Sequence, residues 1–426
     1  MSSRPLTETR FRLATIDLAR PLPSITLAND ETGVGLTIRL DGQPIGFLLR
    51  DLPPGAMLAP DAVGRLLGPG ERLALLEERI RRELCVTAGP PAAVPSLTAV
   101  VCTHDRPVLL ARCLESLVVL RARGVERTPA LEILVVDNAP SDGATRNVAA
   151  RFPDVRYLCE PISGLDFARN RALQEATGDF VAYFDDDVTV DPGWLEGFVE
   201  ACSAHPDAAA VTGPVLPLEL ATRAQVEFER LGGFRHDFRK TRFGVTLAGN
   251  ETYPCGAGIF GAGCNMALRR DAVRSIGGFD EALDTGARLP GGGDLDIFYR
   301  LVRAGYVIVS EPRCLVLHQH RRTHEELRRQ LWTWGLGFMA FLAKSYRADP
   351  TQRGKFRQLL AWWFVSKARL LAGRIVGREA PTVDLILAEL AGGAVGLCGE
   401  YGRSCRRIER RRRAPTRQRV LGSGGA

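Results

Sequence analysis

No run of about 18 or more apolar residues occurs in the 426-residue sequence, so no membrane-spanning helix is expected. The first residues, MSSRPLTETRFRLA, carry arginines without the apolar stretch a secretory signal needs, so the cytoplasm is the expected compartment. The ten cysteines include no CxxC pair and are scattered from Cys85 to Cys405, which points to reduced, buried thiols and not to a disulfide framework. No P-loop and no G-x-S-x-G elbow occurs. Gly256 to Gly261 reads GAGIFG, but it follows ETYPC and not a strand, and it lacks the acid a dinucleotide loop requires. His324-Glu325 starts like a zinc-protease helix, but Arg328 stands where the second histidine belongs.

What is present is ordinary globular material, 45% hydrophobic and 25% charged, long enough for two or three modest domains. Residues 1–95 read as a small α+β domain. TIRLDGQPIGFLLRDL alternates around an Asp41-Gly42 turn and predicts a hairpin, and 70–85 predicts a helix. AGPPAAVPS, with Pro90, Pro91 and Pro95, reads as a linker. Residues 96–320 form the next region, and its first half alternates strands (LTAVVCT, LEILVVD, VRYLC, GDFVAYFDDD) with helices, the pattern of an α/β, mostly parallel sheet covered on both faces. Ligands of such sheets sit beyond the carboxyl ends of the strands. Residues 321–426 read as a helical region with a basic tail. Its amphipathic helix runs from His324 to Tyr346, and its apolar stretches LLAWWFVSKARLLAGRI and DLILAELAGGAVGLCG are core helices or surfaces that lie on a membrane. The net charge is +7, and Arg403, Arg406, Arg407, Arg410, Arg411, Arg412, Arg413, Arg417 and Arg419 crowd the end. That run is a disordered arm, a membrane-surface anchor, a nucleic-acid arm or simply a solvated tail.

Four features carry chemistry. Asp185-Asp186-Asp187 closes the fourth strand of 96–320. Three adjacent carboxylates repel one another, and a divalent cation (magnesium or manganese) relieves that repulsion and holds a diphosphate. An acidic surface turn is the alternative. Alternation along a strand points Asp185 and Asp187 the same way. Asp137 ends LEILVVD at the same sheet edge, where it either accepts hydrogen bonds from a base or ribose or forms a turn. PGGGDLDIFYRLVRAGY offers three glycines that bring backbone close to a ligand or bend freely, then Asp294, a general base or a helix cap. His318-Gln319-His320 follows the expected strand RCLVLH and supplies a candidate metal ligand.

Taken in order, VVCTHDRP, EILVVDNAPSD, GLDFARNRAL, FVAYFDDDV, GAGCNMALRRDAVRSIGGFDE and GGGDLDIFYRLVRAGY resemble family 2 glycosyltransferases of the GT-A fold across roughly residues 97–320. The resemblance implies an inverting transfer from a nucleotide-diphospho-sugar to a glycan, lipid-linked or small-molecule acceptor, as in envelope polysaccharide synthesis. It places Thr103 and Asp137 at the nucleotide and Arg169 and Asn170 as a polar pair before the acid motif. Asp185 and Asp187, with Asp186 between them, fall on the metal-binding acids. Asp294 falls on the base, His318 on a later metal ligand, and Gly263, Cys264 and Asn265 near donor sugar and acceptor. Gly293 replaces the acid that often precedes the base. RRQLWTWG lacks the arginine of the processive synthases, so single addition is expected. A sugar-phosphate nucleotidyltransferase would need glycines after the first strand of 96–320, where CTHDRPVLL has none; a non-catalytic carbohydrate or membrane adaptor is the other alternative. Peripheral contact with the inner membrane face is expected of the C-terminal region, and no nucleic-acid partner.

Overall fold

The computed structural model describes residues 9–84, 94–124, 131–234, 238–286, 288–376 and 381–413. Cys85, most of the linker with Pro90 and Pro91, and Arg417 and Arg419 lie outside the described residues.

The chain opens with β1 (Phe11–Asp17), β2 (Ile25–Thr26), β3 (Gly33–Leu40), β4 (Gln43–Asp51) and β5 (Met57–Leu58), then α1 (Pro60–Arg65) and α2 (Pro69–Leu84). The predicted hairpin is β3–β4. Asp41 and Gly42 both take positive φ, as a two-residue loop matching strand twist demands. This small sheet packs on the body of the protein. Phe11 N–H donates to Leu220 O at 2.8 Å, and Arg39 pairs with the buried Asp191.

The central unit alternates as expected: β6 (Leu97–Thr103), α3 (Pro107–Arg123), β7 (Glu132–Asn138), α4 (Ala144–Ala149), β8 (Val155–Glu160), α5 (Leu165–Glu175), β9 (Phe180–Asp185). There follow β10 (Val188–Val190), α6 (Trp194–Ala204), β11 (Ala208–Thr212), β12 (Val215–Pro217), α7 (Arg223–Arg230), β13 (Thr241–Phe243), β14 (Asn265–Arg269), α8 (Arg270–Ser275), α9 (Gly293–Arg303), β15 (Val307–Ser310) and β16 (Val316–His318). One eight-stranded sheet runs β13-β15-β11-β14-β9-β6-β7-β8. The half built from β9, β6, β7 and β8 is parallel, as the alternation predicts. The other half is mixed, because β14 pairs antiparallel with both β9 and β11. Fully buried runs such as Ile133 to Val136 and Phe180 to Phe184 suit strands covered on both faces.

The expected strand RCLVLH shortens to β16 and leaves the main sheet. It joins a three-stranded sheet, β10-β16-β12, whose register sets Val188 opposite His318. That pairing brings the second end of the site to the first.

The last region is helical: α10 (His324–Ala348), α11 (Arg353–Ile375), α12 (Val383–Val395) and α13 (Tyr401–Arg413). Thr323 and Glu326 form a reciprocal capping box that starts α10. Gly335, Gly392 and Gly396 allow α10 and α12 to meet backbone to backbone; a Cβ on Gly392 would lie 1.9 Å from Trp332 O. The basic run through residue 413 is not a loose arm. It forms α13, which docks on the body: Ile408 is buried with Phe167 and Ala282, Arg411 donates to Ser163 O at 2.7 Å, and Arg412 pairs with Glu281. Among the described residues no helix is long and apolar enough to cross a membrane, and every described cysteine is free.

Candidate active site

The parallel half of the sheet delivers its polar residues to one edge, as the strand-end rule requires. Thr103 closes β6 and faces Asp137 in the β6–β7 register, while Cys102 faces Asp185 in the β6–β9 register. Thr103 Oγ1 donates to Asp186 Oδ2 at 2.7 Å, so this hydroxyl fixes the acid motif. Asp137 is fully buried. Its Oδ2 accepts from Tyr157 Oη at 2.7 Å, and its Oδ1 has no hydrogen-bond partner. Burial, only partly offset by Tyr157, holds this carboxyl above its ordinary range.

The acid motif sits where β9 ends. Because the strand stops at Asp185, alternation does not extend through Asp187, and each acid finds its own surroundings. Asp186 and Asp187 are buried, and both accept from Arg106, at 3.1 and 3.4 Å. Burial and the neighbouring Asp187 push Asp186 up to about 6, against Arg106 and Thr103. Burial also pushes Asp187 up, but His318, Arg321 and Arg106 together outweigh it and hold this carboxyl below its usual range. Asp185 is raised by burial and by Asp187.

His318 reaches the motif through the β10–β16 register. Its Nε2 lies 3.2 Å from Asp187 Oδ1, and Arg321 is 3.6 Å from Asp187 Oδ2. A relay stands behind it: His318 Nδ1 is 3.0 Å from His320 Nδ1, and His320 Nε2 is 2.6 Å from Glu229 Oε1. A cation at this edge would take His318 through an unprotonated Nε2, with His318 Nδ1–H donating to His320 and His320 Nε2 donating to the Glu229 carboxylate. Asp187 Oδ1 is buried and faces His318 Nε2. A proton or a shared cation between the two is what such a pair fits. Among the described residues no three His, Cys, Asp or Glu side chains converge on one point. Asp187 and His318 are the pair, with Asp185 its electrostatic neighbour.

The other acids gather on Arg169, which is buried on α5. It pairs with Asp166 at 3.0 Å and Asp284 at 3.3 Å and feels Asp185 and Asp294. Asp294 is the second residue of α9. The N-cap is Gly292, so Asp294 is not the cap. Its Oδ2 accepts from Gly263 N–H at 3.0 Å and its Oδ1 from Leu295 N–H at 2.8 Å. Burial, against Arg169 and with Asp294, raises Asp284 to about 6; burial and Asp284 hold Asp166 well above its ordinary range. Six carboxylates (166, 185, 186, 187, 284 and 294) thus share three guanidiniums, Arg106, Arg169 and Arg321. Protonation or a multivalent cation must close that deficit.

The glycine run serves protein packing more than ligand approach. Gly292 has φ +96° and lies against Gly337 of α10, while a Cβ on Gly293 would come within 2.3 Å of Asp166 Oδ2. Asn170 faces away from the acids: its amide donates to Phe279 O and Glu281 and accepts from Phe279 N–H, so it positions the 279–281 segment. Asn265 is likewise engaged in the core by Trp194, Pro214 and Cys314. Gly263 touches the site directly, since a Cβ there would lie 2.9 Å from Arg169 and 3.1 Å from Asp294. Sequence reasoning missed Arg106, Arg321, Asp166, Asp284 and the Glu229–His320 relay. Arg106 and Arg321 stand within three residues of Thr103 and His318, a usable signal, whereas Glu229 and Asp284 had none.

The chain is similar to known proteins. Residues 98–277 match the family model described as Glycosyl transferase family 2. The succinoglycan biosynthesis protein ExoM of Rhizobium meliloti is 33% identical over 220 residues, 51% of this chain and 64% of that protein. The pre-mycofactocin glycosyltransferase of Mycobacterium tuberculosis is 31% identical over 286 residues, 66% of this chain and 55% of that one. The chain thus spans under two thirds of these relatives. The mannosyltransferase PcManGT of Pyrobaculum calidifontis, solved with GDP-Man and Mn2+, aligns over 78% of this chain and 93% of that one at 20% identity and a TM-score of 0.45, a likeness too loose to assign anything. The segment that carries Thr103, Asp137 and the acid motif is thus the part of the chain that matches the glycosyl transferase family 2 model.

Proposed function

We propose that the protein is an inverting, divalent-metal-dependent glycosyltransferase that moves a sugar from a nucleotide-diphospho-sugar to a hydroxyl of a glycan, lipid-linked or small-molecule acceptor. Residues 96–320 form its catalytic unit, braced by the described parts of 1–95 and 321–426. The observation that carries this reading is the unbonded Asp187 Oδ1 facing His318 Nε2 at 3.2 Å, in a cluster short of positive charge.

Asp187 and His318, with Asp185 beside them, would hold magnesium or manganese. When bound, the metal neutralises the diphosphate and leaves coordination positions for phosphate oxygens. Arg106 and Arg321 flank Asp187 and add positive charge where the leaving group departs. Asp137, with its unpaired Oδ1, orients the nucleoside, and Thr103 keeps Asp186 aligned. Asp294, steadied by Gly263 N–H, takes the acceptor proton as the acceptor oxygen bonds to the anomeric carbon and the bond to the diphosphate oxygen breaks. A single in-line displacement inverts that carbon.

The test is thermal stability against a panel of nucleoside diphosphates, with and without manganese, beside Asp187→Ala. A ligand at about 100 times its Kd stabilises by roughly 2.7 kcal/mol. A metal-dependent shift with one nucleotide, lost in the variant, is expected. A nucleotide shift equal in chelator and in Asp187→Ala would remove the metal from this scheme.

A further inference from the structure

Helix α11 is apolar on both faces. Phe356, Leu359 and Trp363 are buried in the core shared with α9 and α10. The opposite face of a water-exposed helix is normally polar. Here Trp362, Phe364 and Val365 remain 59%, 43% and 46% exposed, Ala361, Ala368 and Ala372 continue the exposed strip, and Val376 ends it. Helical spacing puts Trp362, Val365, Ala368, Ala372 and Val376 on one outward side.

The same helix carries six cations and no carboxylate. Three are engaged: Arg353 donates to Tyr346 O, Lys355 to Tyr253 O, and Lys367 pairs with Glu389. Arg357, Arg369 and Arg374 are exposed and have no ion-pair partner among the described residues. An exposed apolar strip flanked by the free guanidiniums of Arg357 and Arg369, with Arg374 on the opposite side of the helix, matches a surface with an apolar interior and anionic phosphates. A second copy of this chain fits poorly, because a two-fold contact would set these arginines against themselves.

We propose that α11 lies in the headgroup layer of an anionic phospholipid membrane. Trp362, Phe364 and Val365 enter the acyl boundary, and Arg357 and Arg369 meet lipid phosphates. The anchor is therefore α11 and not α13, whose Arg403, Arg407, Arg411 and Arg412 bind within the protein. The placement stands independently of the transfer chemistry.

The full chain is sedimented with vesicles of phosphatidylcholine alone and of phosphatidylcholine containing phosphatidylglycerol. Binding is expected only with the anionic lipid, and it weakens in high salt. Trp362→Glu combined with Val365→Glu abolishes it. Replacing Arg357 and Arg369 with Gln weakens it roughly 25-fold, at about fivefold per arginine. Arg406→Gln with Arg410→Gln leaves it within about twofold. All these side chains are exposed, and an unchanged melting point confirms that each variant folds. Failure to bind anionic vesicles, binding that survives the α11 variants, or a concentration-dependent dimer that Trp362→Glu dissolves would each overturn the proposal.

Discussion

Asp284→Asn probes the crowded carboxylates directly. Asp284 accepts from Gly293 N–H at 3.0 Å and from Arg169 at 3.3 Å. Burial, opposed by Arg169 and reinforced by Asp294, raises its carboxyl from 3.8 to about 6. A raised acid pKa means the folded protein binds the proton more tightly than the unfolded chain. The folded state is therefore favoured below the unfolded value, and stability is lost as pH climbs from there through about 6. At about 1.36 kcal/mol per pH unit, this group alone removes on the order of 3 kcal/mol across that window. The asparagine oxygen can accept the same two hydrogen bonds, and the side chain never ionises. It also relieves Asp166, whose carboxyl Asp284 helps to raise. The assay is urea unfolding in chelator at several pH values from roughly 4 to 7. The variant should gain on the wild type by about 3 kcal/mol over that range, with its advantage appearing as the pH rises. Parallel curves for the two proteins would refute the shared charge deficit.

Three further outcomes follow from the site. Asp294→Asn keeps an oxygen for Gly263 N–H, so it should leave nucleotide affinity within about twofold while kcat falls by about 10²–10⁴, measured by acceptor-dependent nucleotide release. Glu229→Gln weakens the hold on His320 and should lower manganese affinity about 10- to 100-fold in titrations that follow nucleotide-linked melting; unchanged affinity would remove the relay from the metal site. Gly263→Ala sets a methyl 2.9 Å from Arg169 and 3.1 Å from Asp294, so it should cut kcat at least tenfold while the melting point drops by only a few degrees.

Much of the fold was legible because local rules act within one segment. Asp41-Gly42 could only turn, LTAVVCT and LEILVVD could only be buried strands, and Thr323 with Glu326 marks the start of α10. Where a strand ends is also local, so Asp137 and the acid motif reach the sheet edge by chain order alone. The sheet is mostly parallel, as read; β14 runs antiparallel to its neighbours because strand direction depends on how the chain returns, and no single segment encodes that. The arginine run read as a tail because a charge-rich segment looks solvated until its partners are known. Ser163, Glu281 and the apolar seat of Ile408 lie more than a hundred residues away in the sequence.

The sequence alone determined which residue types stand at the strand ends: a hydroxyl at 103, a carboxylate at 137 and three at 185–187. Backbone periodicity sets those positions, and periodicity is local. Only the tertiary structure decided which charges share a cavity. The Val188–His318 register brings a histidine from 131 residues downstream within 3.2 Å of Asp187, and α5 and α9 converge so that Arg169 is shared among Asp166, Asp284 and Asp294. Proximity between distant segments depends on how helices and sheets pack, and the shifted carboxyls, the His318 nitrogen beside Asp187 and the outward face of α11 all arise from that packing.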